Sequence, residues 1–492
     1  MGNANTAVKP GNLLAWLSVL ETRHSKEIDM GLERVARVKN QLAIQYHCPV
    51  IMVAGTNGKG STCAMLEAIL MQAGYRVGLY SKPHFLDFNE RARINGVPVK
   101  DEIFVQVFDQ VETARGDISL TYFEFTTLAI CQLMAQTPLD VVILEVGLGG
   151  RLDAVNVIDA DVSIVTSVDI DHVDYLGDTR EKIAFEKSGI IKTGVPVVTT
   201  CDGAALAVIA ARAEELQCPM YVLSHLADSH DLADLFENFE IQYFGLAHEK
   251  NKLSDFVELL KKEFFVEANQ PRFVSGLSGS YQRVNILTAL IALGASGILT
   301  ENLMASPEQR QTTIQSLKLG LSKASWPGRF EIFEDPKMIL DGAHNPHGAK
   351  ALRASLLEKF GQVNFVFLLT CFENKDAEEL LHALLGPGDT IFAFAPESER
   401  KMHRPEYLLG IAQAAGAHAK AATVQTVDQV KAAAANVKVP EVKAPEVKVP
   451  VVKAPEVKVP VVKAPAVTAP QVKAPTVTAP TVTPPQVKMP GQ

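Results

Sequence analysis

Ala54-Gly55-Thr56-Asn57-Gly58-Lys59-Gly60-Ser61-Thr62 follows a short apolar run at residues 50–54 and leads into helical spacing at residues 63–73. A buried strand that runs into glycines and then a helix is the setting of a phosphate loop. Glycines let backbone N–H groups close around phosphate oxygens, and a helix N-terminus favours an anion. Lys59 adds a point charge, and Ser61 or Thr62 brings a hydroxyl within reach of a metal. The spacing departs from the common P-loop, because Gly60 separates the lysine from the hydroxyl. Asn57, Gly58, Lys59, Gly60 and Ser61 are therefore the expected nucleotide-phosphate contacts.

Outward from this loop, strand-like and helix-like stretches alternate. Residues 76–80, 141–146, 162–168 and 195–200 are β-branched and apolar, as parallel strands buried on both faces are. Residues 103–114, 123–135 and 179–191 have helical spacing. The pattern predicts an α/β fold, a doubly wound parallel sheet carrying the P-loop. A second alternating set begins near Trp326, with strands expected at 330–333, 338–340, 363–370 and 390–395 and helices at 346–360, 377–385 and 404–415. The division read from this is an N-terminal ATP-binding domain over 1–323 and a smaller α/β C-terminal domain over 324–436. The polar, aromatic stretch 223–276 reads as an excursion from the first sheet.

From residue 437 a five-residue unit repeats to residue 492, with proline at every fifth position from Pro440 to Pro490. Such spacing forbids a helix and blocks a central strand, so the tail is expected to be disordered and extended. It carries 8 Lys against 3 acidic residues, and the rest of the chain then bears −14 of a net −9. That balance argues against a nucleic-acid partner. The tail reads as a spacer, with no partner specified by its composition. Six scattered cysteines, none at C-x-x-C spacing, fit a reducing cytoplasm better than a disulfide framework. No run reaches the roughly 18 to 20 apolar residues of a membrane helix. The longest, 287–299, is interrupted by Gly294 and Ser296, and the apolar patch at 13–20 lacks the flanks of a signal peptide. A cytoplasmic protein without a membrane partner is expected.

Several separated motifs share one resemblance: Gly55-Thr56-Asn57-Gly58-Lys59-Gly60-Ser61-Thr62, Asp29-Met30-Gly31-Leu32-Glu33-Arg34, Leu120-Thr121-Tyr122-Phe123-Glu124-Phe125, Glu145-Val146-Gly147-Leu148-Gly149-Gly150-Arg151-Leu152-Asp153-Ala154, Asp171-His172, Glu186-Lys187-Ser188-Gly189, Trp326-Pro327-Gly328-Arg329 and Asp341-Gly342-Ala343-His344-Asn345-Pro346. The chain resembles the Mur ligase superfamily and, within it, the bifunctional dihydrofolate synthases/folylpolyglutamate synthases. The resemblance implies ATP and Mg²⁺, with Asn285, Arg329 and Asp341 joining the loop at ATP. It implies Ser81, Glu145 and His172 as metal ligands, and Lys59, His172 and Lys187 as catalytic groups. It further implies that Lys187 is carbamylated, although spacing alone makes it a helix-surface lysine. Asp29, Thr121, Phe123, Asp153 and Ala154 would form the pterin site.

The reaction so implied joins L-glutamate to dihydropteroate and to reduced folates through an acyl phosphate, in a monomer. Two departures stand out. Lys82 interrupts the family's direct Ser-Pro-His run, and no Thr-Gly-Ser-Leu-Tyr-like final strand precedes the tail, so an edge of the second sheet is expected to be missing. A cell-wall Mur ligase, or a binding scaffold that no longer catalyses, are the alternatives.

Overall fold

A nine-stranded sheet has the phosphate loop near its middle. In chain order its strands are β1 (Val50–Ala54), β2 (Val77–Tyr80), β3 (Ala92–Ile94), β4 (Val97–Pro98), β5 (Val141–Glu145), β6 (Val162–Val165), β7 (Val197–Thr199), β8 (Met220–Ser224) and β9 (Glu240–Phe244). Across the sheet they lie in the order β4-β3-β2-β5-β1-β6-β7-β8-β9. The run from β2 to β8 is parallel, and only the flanking pairs are antiparallel. This computed structural model describes residues 10–26, 28–224, 240–245, 247–264, 274–299, 303, 306–334, 337–396 and 401–421. The repeat tail and the expected loss of a final strand concern residues outside those described.

The strand order places the site. The chain leaves β1 towards β2 on one side and reaches β6 on the other, so a crevice opens at the carboxyl ends of the central strands. Val53 lies opposite both Glu145 and Ile164. The loops after β1, β5 and β6 therefore leave the sheet at one rim. β6 ends at Val165, earlier than its apolar pattern suggests, because Thr166 turns its hydroxyl onto the carbonyl of Asn57 at 2.6 Å.

Both faces of the sheet are covered. On one, helices Leu13–Arg23, Asp101–Arg115 and Tyr122–Gln136 bring Trp16, Phe108 and Phe125 together, with ring centroids 5.4–5.8 Å apart. On the other lie helices Lys59–Gln72, Gln282–Ser296 and Pro307–Lys323. The apolar run that begins at Leu287 falls in the middle one of these, buried between its neighbours and the sheet. Among the described residues no helix is long and apolar enough to cross a membrane.

Residues 324–421 build a separate, smaller core. A hairpin of β10 (Glu331–Glu334) and β11 (Lys337–Leu340) precedes a parallel sheet of β12 (Val366–Leu369), β13 (Thr390–Ala393) and β14 (His418–Ala421). Helices Pro346–Phe360, Ala377–Leu384 and Pro405–Ala414 pack with them around Leu381, Ile391 and Leu408. The sequence reading assigned no strand to 418–421, where a four-residue, alanine-rich segment carries little strand signal. The β3–β4 hairpin escaped it for the same shortness. Stretch 223–276 does contain an excursion from the first sheet, since β9 pairs antiparallel with β8 before helix Ala247–Phe264.

The phosphate-loop helix Lys59–Gln72 is held from behind by Gly320, where a Cβ would sit 2.4 Å from the Ile69 Cα. Gly320→Ala is expected to push the two helices apart at a cost of about 1–3 kcal/mol, the usual range for overpacking. Thermal unfolding should show a lower midpoint than in the parent chain.

Candidate active site

The phosphate loop is wedged rather than loose. Gly58, at φ +86°, occupies the left-handed region, and a Cβ there would meet the Asn285 Oδ1 at 2.5 Å. A Cβ on Gly55, at φ +151°, would lie 1.8 Å from the Thr166 Oγ1. The N–H groups of Thr56 and Asn57 donate to the Ser167 carbonyl (2.6 Å) and hydroxyl (3.0 Å). Only glycine fits at either point, so the loop's path is set by its neighbours on both sides.

Two ammonium groups converge on one carbonyl oxygen. Lys59 Nζ donates to the carbonyls of Gly55 (2.9 Å) and Thr56 (3.1 Å), and Lys187 Nζ donates to Gly55 at 2.9 Å. Burial lowers the pKa of Lys59, and the nearby Glu145 carboxylate offsets this only in part. Burial, and then the charge of Lys59, bring Lys187 down to about 7. Helix Arg180–Ser188 docks Lys187 into the rim, so its surface-like spacing misleads.

Glu145 ends β5 as a buried carboxylate, and its Oε2 accepts the Lys82 backbone N–H at 3.0 Å. Burial raises its pKa against the pull of Lys59. The buried Ser61 hydroxyl has no hydrogen-bond partner among the described residues. His172 adopts a left-handed backbone at φ +53°. Burial lowers its imidazole to about 4, leaving the ring neutral at pH 7 with a lone pair to offer.

Asp171 ties the two halves together. Its carboxylate takes the Lys375 ammonium, the Asn345 Nδ2 at 3.1 Å and the His172 N–H at 2.8 Å, with His344 Nε2 at 3.4 Å. Burial alone would raise this carboxyl, but the bonds from His344 and Lys375 hold it well below the usual carboxylate range. Asn57 and Asn345 exchange amide hydrogen bonds at 3.2 Å each, and Asn57 Nδ2 also meets His347 Nδ1 at 2.9 Å. Sequence reasoning assigned no role to Lys375, which no motif marks. Asn345 stood inside a quoted motif without an assigned part.

These elements enclose a cavity of about 1580 Å³. Asn57, Gly58, Lys59, Gly60, Ser61, Glu145, His172, Lys187, Asn285, Arg329 and Asp341 all line it, so every expected ATP contact reaches one space. Asp341 does so with its carboxylate already engaged, by the Tyr281 hydroxyl (2.9 Å) and the N–H groups of Phe330 and Ala343 (2.8 Å each).

Other expected residues do not reach the wall. Ser81 is buried, with its N–H on the Arg91 carbonyl at 3.0 Å, and the following Lys82 and Pro83 line the cavity. Successive side chains alternate along an extended chain, which puts Tyr80 and Lys82 on one side and Ser81 on the other, the side of Glu145 on the neighbouring strand. Thr121 caps helix Tyr122–Gln136 through the Glu124 N–H at 3.1 Å. Asp29 is paired with Arg34 at 2.6 Å, which in turn holds Glu124. Asp153 accepts the N–H groups of Gly147, Leu148 and Val155 at 2.9–3.0 Å, and Ala154 follows it, buried. Phe123 stands beside Gly147, one shell behind the cavity.

A strand–loop–helix phosphate site roofed by a second α/β unit defines a Mur-type ligase, and comparison with known proteins agrees. The Mur ligase middle domain matches residues 53–293, and the Mur ligase, glutamate ligase domain matches residues 328–447. The dihydrofolate synthase/folylpolyglutamate synthase of Escherichia coli (strain K12) is 42% identical over 358 residues, 71% of this chain and 74% of that one. Its counterpart in Haemophilus influenzae is 35% identical over 392 residues, 76% and 80% of the two chains. The solved structure of E. coli FolC in complex with DHPP and ADP aligns with a TM-score of 0.68 at 35% identity, covering 87% of this chain and 93% of that one. A bifunctional folylpolyglutamate synthase/dihydrofolate synthase with Mn, AMPPNP and L-glutamate bound aligns at 0.67 and 34%, with the same coverage. The chain belongs to the dihydrofolate synthase/folylpolyglutamate synthase family of Mur ligases, ATP-dependent enzymes that form a carbon–nitrogen bond to glutamate.

Lys375→Met leaves the buried Asp171 carboxylate without its lysine. Removing one partner of a buried pair costs on the order of 3 kcal/mol. Urea unfolding should show that loss as a lower midpoint.

Proposed function

We propose that the cavity joins the carboxylate of dihydropteroate, or of a reduced folate, to the amine of L-glutamate at the expense of ATP. The observation that carries this reading is the convergence of Lys59 and Lys187 on the Gly55 carbonyl, beside Glu145 and beneath Arg329, in a chain of this family. The phosphate loop cradles the terminal phosphates with its N–H groups, and Lys59 and Arg329 face the charge that develops as the γ-phosphoryl group moves. The acceptor carboxylate attacks that group in line, giving an acyl phosphate and ADP. The glutamate amine then attacks the acyl carbon, and the tetrahedral intermediate collapses to an amide with loss of phosphate. Enclosure between residues 1–323 and the domain we begin at 324 keeps water from the acyl phosphate.

The donors present suit a divalent cation. The unpartnered Ser61 hydroxyl and the buried Glu145 carboxylate are hard oxygen ligands, and the neutral His172 ring lines the same wall. Ser61, Glu145 and His172 would hold Mg²⁺, which supplies charge neutralisation at the phosphates when bound. Ser81, one residue past the Tyr80–Leu144 pair and so beside Glu145, would add its hydroxyl to this set.

Lys187 reacts as an amine. Its nitrogen adds to CO2 and releases a proton, so an ammonium becomes a carbamate and the local charge changes sign. A pKa of about 7 keeps a large neutral fraction available for that step. The acceptor's pteridine ring lies towards Phe123. Thr121, Asp153, Ala154 and the Asp29–Arg34 pair shape that wall from behind. The reading is of a cytoplasmic monomer, and six free cysteines fit that compartment.

Purified full-length protein with Mg²⁺, ATP and L-glutamate should release ADP with dihydropteroate and with tetrahydrofolate. ATP binding without turnover on either acceptor would overturn the ligase reading. Lys187→Arg should lose at least about 100-fold in turnover, the scale set by removing one charge-stabilising group. The sign of the pH effect follows from the lowered lysine: the amine is protonated below about 7 and free above it. In CO2-depleted buffer turnover should fall, and at fixed dissolved CO2 it should recover as pH rises through that value.

A further inference from the structure

Three glycines shape the phosphate loop, and the third has a buttress that the ligation scheme above leaves unused. Gly55 is set against Thr166 and Gly58 against Asn285, whereas a Cβ on Gly60 would lie 2.8 Å from the Trp326 Nε1 and 3.2 Å from its Cε2. Trp326 is 7% exposed and belongs to the apolar cluster of Leu66, Ile69 and Leu317. It does not line the cavity, while Gly60 does, and so does Arg329, three residues further on.

Arg93 fastens the indole to the same helix. Its guanidinium carbon lies 5.6 Å from the centroid of the Trp326 ring, and its Nη2 meets the buried Glu67 Oε2 at 3.0 Å. A guanidinium over an indole attracts it, and the ion pair keeps that guanidinium in place. Gly60 and Glu67 lie two turns apart on one face of helix Lys59–Gln72. Trp326 abuts the first and is tied to the second through Arg93. Gly60 sits in the first turn, where backbone N–H groups have no intrahelical partner and are open to a phosphate. Glycine is also the residue whose backbone is least confined by its own atoms. The direction of those N–H groups therefore depends on what lies behind Gly60, and that is the indole.

We propose that Trp326 is a positioning residue for the nucleotide. Its indole fixes the first turn of the phosphate-loop helix, and the three-residue step to Arg329 keeps the loop and that guanidinium at one spacing across the phosphates. This rests on the ligase reading, in which the loop and Arg329 take the phosphates of ATP. Trp326 touches no substrate and acts through Gly60 and Arg329. Removal of the indole leaves a space the width of two fused rings behind the turn, and the N–H groups lose their common direction.

Trp326→Leu, Gly60→Ala and the double variant in the full chain test this, with Trp16→Leu for comparison. Trp16 is the other tryptophan, fully buried on the opposite face of the sheet. In steady-state ADP release, Trp326→Leu and Gly60→Ala should each raise KM for ATP about tenfold, as a small misplacement of binding groups does. KM for dihydropteroate and for L-glutamate should stay within about twofold of the parent, as expected of sites that share no partner with the indole. Calorimetric binding of Mg-ADP should weaken to the same extent as KM for ATP rises. The double variant should not multiply the two losses, because the added methyl enters the space the indole vacated. Trp16→Leu should lower the thermal midpoint and leave KM for ATP unchanged. An unchanged KM for ATP in Gly60→Ala, equal rises for all three substrates in Trp326→Leu, losses that multiply in the double variant, or a matching rise in Trp16→Leu would each overturn the proposal. Should Trp326→Leu fail to fold, Gly60→Ala decides through KM and Mg-ADP binding. A parent that binds Mg-ADP but releases no ADP with either acceptor would overturn the ligase reading, while the Mg-ADP affinities of the variants still test Trp326.

Discussion

Two buried ammonium groups share one carbonyl oxygen, and the centre of this molecule is organised around that crowding. Gly55 accepts from Lys59 and Lys187 because the loop is pressed against Thr166 on one side and Asn285 on the other. Such a carbonyl cannot rotate away from its donors. Burial, and then the charge of Lys59 held this close, lower the pKa of Lys187. The site therefore begins with an excess of positive charge. Polyphosphate binding, and the conversion of one of the two amines into an anion that we propose, would both relieve the same strain.

The second organising contact is Asp171, which turns a two-part architecture into a single enclosure. A carboxylate at the rim of the large sheet engages Lys375, His344 and Asn345 from the smaller core, while Asn57 of the phosphate loop meets Asn345 and His347. The loop that grips the nucleotide is thereby in register with the unit that closes over it. Displacement of either would be felt through side-chain amides rather than through a distant hinge.

How much of this was legible depended on whether the signal was local. The loop from Asn57 to Ser61 could be read because strand, glycines and helix are contiguous and their physics is short-range. Arg329 and Asp341 were visible through motifs, although nothing local told that Asp341 would be engaged by Tyr281 and two backbone groups. Lys187 read as a surface lysine, because helical periodicity does not know what a helix docks against. Lys375 carried no mark at all, since its partner lies 204 residues away. Ser81 entered through the resemblance, and only the strand register sets it beside Glu145. β14 was missed because four residues are too few for a periodicity to declare itself.

His172 carries two demands on one side chain. Its backbone stands at φ +53°, where a branched or bulky residue is strained and only glycine, asparagine, aspartate and histidine itself are readily accommodated. Its ring lines the cavity, and burial keeps it neutral. Residues that relax the backbone discard the imidazole, and residues that mimic the imidazole's reach are ill at ease in the turn. Position 172 thus has almost no neutral neighbours in sequence space, and drift through this loop has to go around it.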